Sequence, residues 1–156
     1  MLTRALTAAR SGLGSTVVFA GEPGIGKSRL LREATRIARE RQGPVLSGSA
    51  LDESVASPLR AWSEALGTHF GGRDLPVSDS LRGFIAVLAT VLPGWREPGW
   101  TAAPDSSLLF PEAVRRLLAV ECATTGLPIL LVIDDLHWSD KPTWATLRYL
   151  ANRIAE

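Results

Sequence analysis

The residues best suited to chemistry are Gly21, Glu22, Pro23, Gly24, Ile25, Gly26, Lys27 and Ser28, a run with the spacing G-x-x-x-x-G-K-[ST]. Glycines at these positions let successive backbone N–H groups turn inward around phosphate oxygens, and a helix starting near Lys27 adds its positive N-terminal end. Lys27 is placed to reach the β and γ phosphates of a nucleotide, and the Ser28 hydroxyl to bind Mg²⁺. With 14 glycines in 156 residues and lysine only at positions 27 and 141, a random match is expected on the order of a few times in a thousand such chains. The run is the phosphate-binding loop called Walker A.

A second chemical feature is Asp134-Asp135, which ends the apolar run Ile129-Leu130-Leu131-Val132-Ile133. A carboxylate at the C-terminal edge of a buried parallel strand faces the crevice where ligands of open α/β sheets bind. Asp134 is thereby placed to hold Mg²⁺, mostly through water, because Mg²⁺ keeps several of its waters. Asp135 is placed to orient or deprotonate an attacking water. Alone, such a run equally describes a strand entering a turn. Roughly 100 residues after a phosphate loop, it reads as a Walker B strand.

These residues need elements to position them. Thr16-Val17-Val18-Phe19-Ala20, β-branched and aromatic and bounded by glycines, predicts a strand buried on both faces of a parallel sheet. From Ser28 to Arg41, Leu30, Leu31, Ala34, Ile37 and Ala38 fall on one stripe, with Arg29, Arg32, Glu33, Arg36 and Glu40 largely opposite. That pattern predicts a surface helix packed on a sheet. Gly43-Pro44 stops it, and 45–50 is a weaker strand candidate. A short helix over 2–10 leads the chain, and a final one follows Pro142, with Trp144, Leu147, Ala151 and Ile154 on one side.

Residues 51–126 read as a helical segment broken by loops. Ser57-Pro58 suits a cap and first turn ahead of Leu59, Trp62 and Leu66, and Asp79 or Ser80 suits the cap of a helix carrying Leu81, Phe84, Ile85, Leu88 and Leu92. Between Pro93 and Ser107 lies a Gly- and Pro-rich loop whose Trp95 and Trp100 are expected to cover apolar surface. Pro111 opens another helix, with Phe110, Ala113, Val114, Leu117 and Leu118 on one face, ended by Gly126 to Pro128. There is no internal repeat and no low-complexity tract.

A chain of 156 residues with 46% hydrophobic content suits one domain rather than two. Its net charge of +1 gives no strong single-sign field for nucleic acid or an anionic membrane, so any partner must be argued from a local site. Uninterrupted apolar stretches such as Ile129 to Ile133 are far short of the roughly 18 residues that span a bilayer, and Met1 to Ser15 lacks a continuous hydrophobic signal core. A cytoplasmic chain is expected. The single cysteine, Cys122, forms no internal disulfide and reads as a packed thiol rather than a nucleophile.

Taken together, these stretches resemble the AAA-type P-loop ATPase module of the STAND signalling ATPases. The likeness is greatest to the ATPase region of large bacterial LuxR-type transcriptional regulators and adenylate-cyclase-linked ATPases. Gly21-Glu22-Pro23-Gly24-Ile25-Gly26-Lys27-Ser28-Arg29-Leu30 and Val132-Ile133-Asp134-Asp135-Leu136-His137-Trp138-Ser139-Asp140 carry it, with weaker similarity in Gly48 to Ala65, where a strand, a short variable loop and a helix follow in the family's order.

The resemblance implies an α/β fold: a P-loop NTPase three-layer sandwich with a parallel sheet. It is expected to be incomplete in 1–156, with strands one to three and their helices present and strands four and five, sensor residues, helical lid and any arginine finger absent. In that fold the strand after Walker B inserts between the phosphate-loop strand and the Walker B strand. Those two strands therefore either close up and pair directly or belong to a truncated domain; the second is favoured. The acidic-flanked motif that usually precedes the first helix of the family is also missing.

The resemblance further implies ATP and Mg²⁺ as cofactors. Gly21 to Ser28 and Arg29 would contact nucleotide, Ser28 and Asp134 would hold the metal, and Lys27 and Asp135 would act in catalysis. Implied partners are ATP or ADP and self-association or an attached output domain, with DNA reached only through a domain outside these residues and no membrane. Asp135 stands where many ATPases of this class carry Glu, so slow turnover is expected. Arg29, on the first helical turn, is expected to face solvent. His137 is expected to be structural or sensing, Trp138 and Trp144 to pack, and His69 to lack a partner.

The leading function is a Mg-ATP-binding regulatory module with slow hydrolysis to ADP and phosphate and nucleotide-dependent switching. The alternatives are a non-hydrolysing ATP-binding switch and, less favoured because no acceptor-binding constellation stands out, a small-molecule P-loop kinase.

Overall fold

The computed structural model describes residues 2–51, 57–76, 78–101 and 106–154. Six α-helices and two strands are found among them: α1 (Leu2–Arg10), α2 (Lys27–Glu40), β1 (Val45–Ser49), α3 (Arg60–Phe70), α4 (Ile85–Leu88), α5 (Ser106–Thr125), β2 (Leu130–Asp134) and α6 (Lys141–Arg153). Short 3₁₀ turns lie at Arg82–Phe84, Pro93–Trp95 and Leu136–Trp138.

β1 and β2 pair in parallel, Val45 opposite Leu130 and Ser49 opposite Asp134. Parallel neighbours need a long crossover, and α3 to α5 supply it. The pairing continues past the strand end, where the Ala50 N–H donates to the Asp134 carbonyl (3.0 Å). Along β1 the buried positions alternate at Leu46 and Gly48. Gly48 allows close packing of α3: a β-carbon there would sit 2.1 Å from the Ala61 carbonyl oxygen. The core lies between this strand and the helices, with Leu46, Trp62, Leu66, Phe70, Leu88, Val114 and Leu117 almost fully buried.

α2 packs on both strands through Ala34 and Ala38, the stripe its periodicity predicts, and carries Glu33, Arg36 and Glu40 in an ion-paired ladder on its exposed side. Arg10 donates to the Arg41 carbonyl (2.8 Å) and Arg41 to the Thr7 hydroxyl (3.0 Å), which clips α1 to the end of α2.

α5 and α6 are joined by Glu112, which accepts from Arg115 (2.8 Å), Arg116 (2.7 Å) and the Tyr149 hydroxyl (2.6 Å). The Arg115 hydrogen bond, opposed by partial burial and aided by Tyr149 and Arg116, holds the Glu112 carboxyl well below the usual carboxylate range. The same carboxylate pushes the Tyr149 phenol up. Burial pushes the free Cys122 thiol up as well, as suits a packed thiol.

The structure departs from the sequence expectations in several places. Residues 16–20 run without any strand partner among the described residues, and Val18 is 69% exposed. A strand requires a neighbour to satisfy its backbone groups, and neither β1 nor β2 reaches this run, so of the three expected strands only two form. The two candidate edges have not closed up. The helix expected over 81–92 is cut to Arg82–Phe84 and Ile85–Leu88. α5 starts at Ser106, so Pro111 lies inside it rather than opening it. α3 begins after Leu59 without a Ser57 side-chain cap.

His69 does have a partner, the Glu121 carboxylate at 2.6 Å across α3 and α5, with Arg73 beside both. Trp95 is buried and Trp100 half-buried under Arg96, as expected of covering rings. Trp138 and Trp144 are 46% and 48% exposed rather than packed, because the 3₁₀ turn and α6 direct them away from the core residues Thr143, Thr146 and Leu150. The variable loop within Gly48 to Ala65 falls at 52–56, and part of the Pro93 to Ser107 loop at 102–105, outside the described residues.

Candidate nucleotide site

The loop from Gly21 to Ser28 leads directly into α2. Gly24 and Gly26 take φ values of 81° and 101°, left-handed backbone that any side chain would disfavour. These two residues turn the chain so tightly that Gly26 becomes the N-cap of α2, with no side chain capping the helix. Its carbonyl accepts from Arg29 (3.0 Å) and Leu30 (3.1 Å), while no backbone acceptor among the described residues takes the N–H groups of Gly24, Gly26, Lys27 or Ser28. Unpaired donors at a helix N-terminus form an anion site with the helix dipole behind it.

Lys27 is folded back on the loop, its Nζ donating to the Gly21 and Glu22 carbonyls at 2.9 Å each. These bonds keep the ammonium at the loop instead of out in solvent. Glu22, Pro23, Ile25, Ser28 and Arg29 are exposed, Ile25 to 71%, and its Cγ2 lies 3.2 Å from where a β-carbon at Gly21 would sit. Arg29 therefore faces solvent in this structure.

The carboxylates lie at the end of β2, one of the strands that α2 contacts. Asp134 is the last residue of β2, half-buried, with Oδ1 accepting the Asp135 N–H at 2.9 Å. Its second oxygen keeps its acceptor capacity for a metal-bound water. Asp135 is exposed, and its backbone is left-handed (φ 55°). Its Oδ2 lies 3.5 Å from Ser49 Oγ, at the limit of a hydrogen bond, so the side chain is only lightly held. β2 and α2 pack together, so the strand that carries Asp134 and the helix that follows the glycine loop belong to one unit. The loop donors, the Lys27 ammonium, the exposed Ser28 hydroxyl and a hard-oxygen carboxylate suit a Mg²⁺-nucleotide chemically.

Several residues around these groups were not legible in the sequence. Glu64 Oε2 accepts the Ser49 N–H (3.1 Å) on the outer edge of β1. Asp140 accepts from Thr143 N–H (2.6 Å) to cap α6 and from Leu59 N–H (2.7 Å) across the chain. The cap had a local signal, an Asp ahead of Pro142; the contact with Leu59 had none. His137 is exposed, its ring 4.9 Å from that of Trp138.

The chain belongs to the AAA ATPase domain family, whose model matches residues 1–155. It is therefore a nucleotide-binding ATPase module with a P-loop α/β fold, of which the described residues form a small parallel sheet with its helices. It is similar to an uncharacterized protein of Rhizobium meliloti (strain 1021), 29% identical over 92% of this chain and 15% of that protein. The chain thus spans about 15% of the length of this curated relative. No solved structure matches. No helix among the described residues is long and apolar enough to cross a membrane.

Proposed function

We propose that this chain is a Mg-ATP-binding regulatory module of the STAND type, in which nucleotide state switches an attached output domain or self-association and hydrolysis is slow. The observation that carries this reading is the loop at the start of α2: two left-handed glycines, four unpaired N–H groups and a lysine held in place at the loop. In this reading those N–H groups hold phosphate oxygens. Lys27 leaves the Gly21 and Glu22 carbonyls for the β and γ phosphates, Ser28 and Asp134 hold Mg²⁺, and Arg29 lies beside the loop. The metal supplies charge neutralisation for the phosphates. Asp135 orients the attacking water and, being lightly held, does so slowly.

The likeness to LuxR-type regulators supports a signalling role in the cytoplasm, with DNA contacted by another domain. The unpaired run at 16–20, the open edge of β2 and exposed Leu13 and Val18 support a domain whose sheet is completed by strands outside 1–156. A non-hydrolysing switch is the second reading, favoured by the same loose hold on Asp135. A small-molecule kinase stands third.

Binding of a fluorescent ATP analogue with Mg²⁺ tests the reading. Hydrogen bonds to charged groups contribute about 1.5–3 kcal/mol each, so Lys27→Ala, which removes contacts to two phosphates, is expected to weaken binding at least ~100-fold with the far-UV spectrum unchanged. Undiminished affinity would show that the loop is not the site. Phosphate release measured with and without small-molecule acceptors separates the three readings, and acceptor-dependent ATP consumption would overturn the regulatory one.

A further inference from the structure

We propose that Asp140 is a positioning residue that couples the carboxylate end of the nucleotide site to the start of α3. The proposal rests on the nucleotide-binding reading above and names the route by which occupancy leaves the site.

A helix cap needs one side-chain oxygen, and serine or threonine supplies it as well as aspartate. Asp140 uses both oxygens. Oδ1 accepts the Thr143 N–H at 2.6 Å, and Oδ2 accepts the N–H of Leu59, 81 residues away, at 2.7 Å. The residue it grips is strained: Leu59 has φ 61°, a region that leucine occupies only where its surroundings enforce it. This second contact is unnecessary for capping α6, and it holds α3's first turn in a conformation the chain would otherwise leave.

The other end of the same short segment is Asp135, also left-handed at φ 55°. Its carbonyl accepts the Trp138 N–H (2.9 Å), and the Ser139 N–H closes on Leu136 (3.0 Å), so residues 135–139 form one wound turn. Ser139 Oγ is buried without a hydrogen-bond partner among the described residues, which leaves the turn under-satisfied at its junction with Asp140. A cleft of about 520 Å³ is walled by the two segments that Asp140 ties together, with Ser57, Pro58 and Arg60 on one side and Trp138, Ser139 and Lys141 on the other.

A ligand shifts an equilibrium only if it interacts differently with the two states, and Asp135 provides that difference. Its side chain makes one hydrogen bond among the described residues, at the 3.5 Å limit, and is free to turn towards a water at the γ-phosphate. Its strained backbone then rewinds the turn that ends at Asp140. Asp140 stays with α6, to which Oδ1 binds it, and withdraws Oδ2 from Leu59. Leu59 relaxes and the cleft widens.

Hydrogen–deuterium exchange of single amides, followed by NMR in the whole chain, tests this. Saturating Mg-ATP is expected to speed exchange of the Leu59 amide tenfold or more, the order associated with losing a hydrogen bond to a charged acceptor, while the Thr143 amide stays protected. Asp140→Ser keeps a cap for α6 but cannot reach Leu59, so its Leu59 amide is expected to exchange fast with or without nucleotide. A merely structural Asp140 would leave both amides indifferent to nucleotide. Unchanged or slower Leu59 exchange in a sample whose fluorescence titration shows bound nucleotide overturns the coupling alone. A titration showing no binding overturns the nucleotide reading, and the coupling with it.

Discussion

Replacing Gly48 by alanine tests the packing that places Ser49, Ala50 and the end of β2 beside one another. The added β-carbon would lie 2.1 Å from the Ala61 carbonyl oxygen, 3.0 Å from its carbon and 3.1 Å from the Ala65 nitrogen. All three are backbone atoms of α3, so no side chain can swing aside. Relief requires β1 and α3 to separate by roughly 1 Å, enough to forfeit a quarter to a half of each dispersion contact across the seam. That seam includes Ala61, Trp62, Ala65 and Leu66, all at 3% exposure or less. Overpacking of this kind costs about 1–3 kcal/mol, against which alanine recovers about 0.4–1 kcal/mol by stiffening the unfolded chain. A net loss of about 1–2 kcal/mol is expected in urea denaturation followed by tryptophan fluorescence. Gly67 is the control: it lies inside α3 with nothing within 4 Å of its β-carbon position, so Gly67→Ala is expected to gain about 0.5–1 kcal/mol. If both alanines stabilise the protein equally, β1 and α3 do not approach as described.

Two further outcomes are expected. Asp135→Asn should leave nucleotide affinity within about twofold and lower phosphate release about 100-fold or more, the contribution typical of a positioned base; unchanged release would remove Asp135 from the chemistry. The Glu112 carboxyl is held low in the folded chain, chiefly by Arg115, so its stabilisation is complete above the ordinary carboxylate range and is lost as pH falls through that range and below. With Arg115 and Arg116 each more than a third exposed, the contribution is discounted to about 1 kcal/mol. Denaturation midpoints of Glu112→Gln and the parent chain should therefore differ at pH 7 and draw steadily together as pH falls through and below the usual carboxylate range, and a difference constant with pH would refute the assignment.

What was legible in the sequence was local. The positive φ at Gly24 and Gly26 and the start of α2 follow from eight adjacent residues, and the buried stripe of α2 from its own periodicity. What was not legible depends on residues far away. Thr16 to Ala20 has the composition of a strand, but a strand is a relation between two backbones, and this run has no partner among the described residues. Ser57-Pro58 suits the cap and first turn of α3, but the backbone there is held instead by an aspartate 81 positions beyond Leu59. His69 looked solitary because Glu121 lies 52 positions away, on a helix whose facing side only tertiary packing decides.

The distribution of backbone strain separates site from scaffold. Among the described residues, three other than glycine have positive φ: Gln42, Leu59 and Asp135. Gln42 follows the end of α2 just before Gly43, where helices commonly leave through left-handed backbone, and its strain is explained by chain reversal alone. The other two have no such local cause. Asp135 directly follows β2, and Leu59 is bound by the aspartate that ends the segment Asp135 begins. Strain with no local need persists only where surrounding contacts enforce it, and here those contacts run from the carboxylate strand to the first turn of α3. The phosphate loop shows the opposite design, with its left-handed positions given to glycine and carrying no strain. On the reading proposed above, the loop waits for its ligand without strain, and the carboxylate end is the part that moves when the ligand binds.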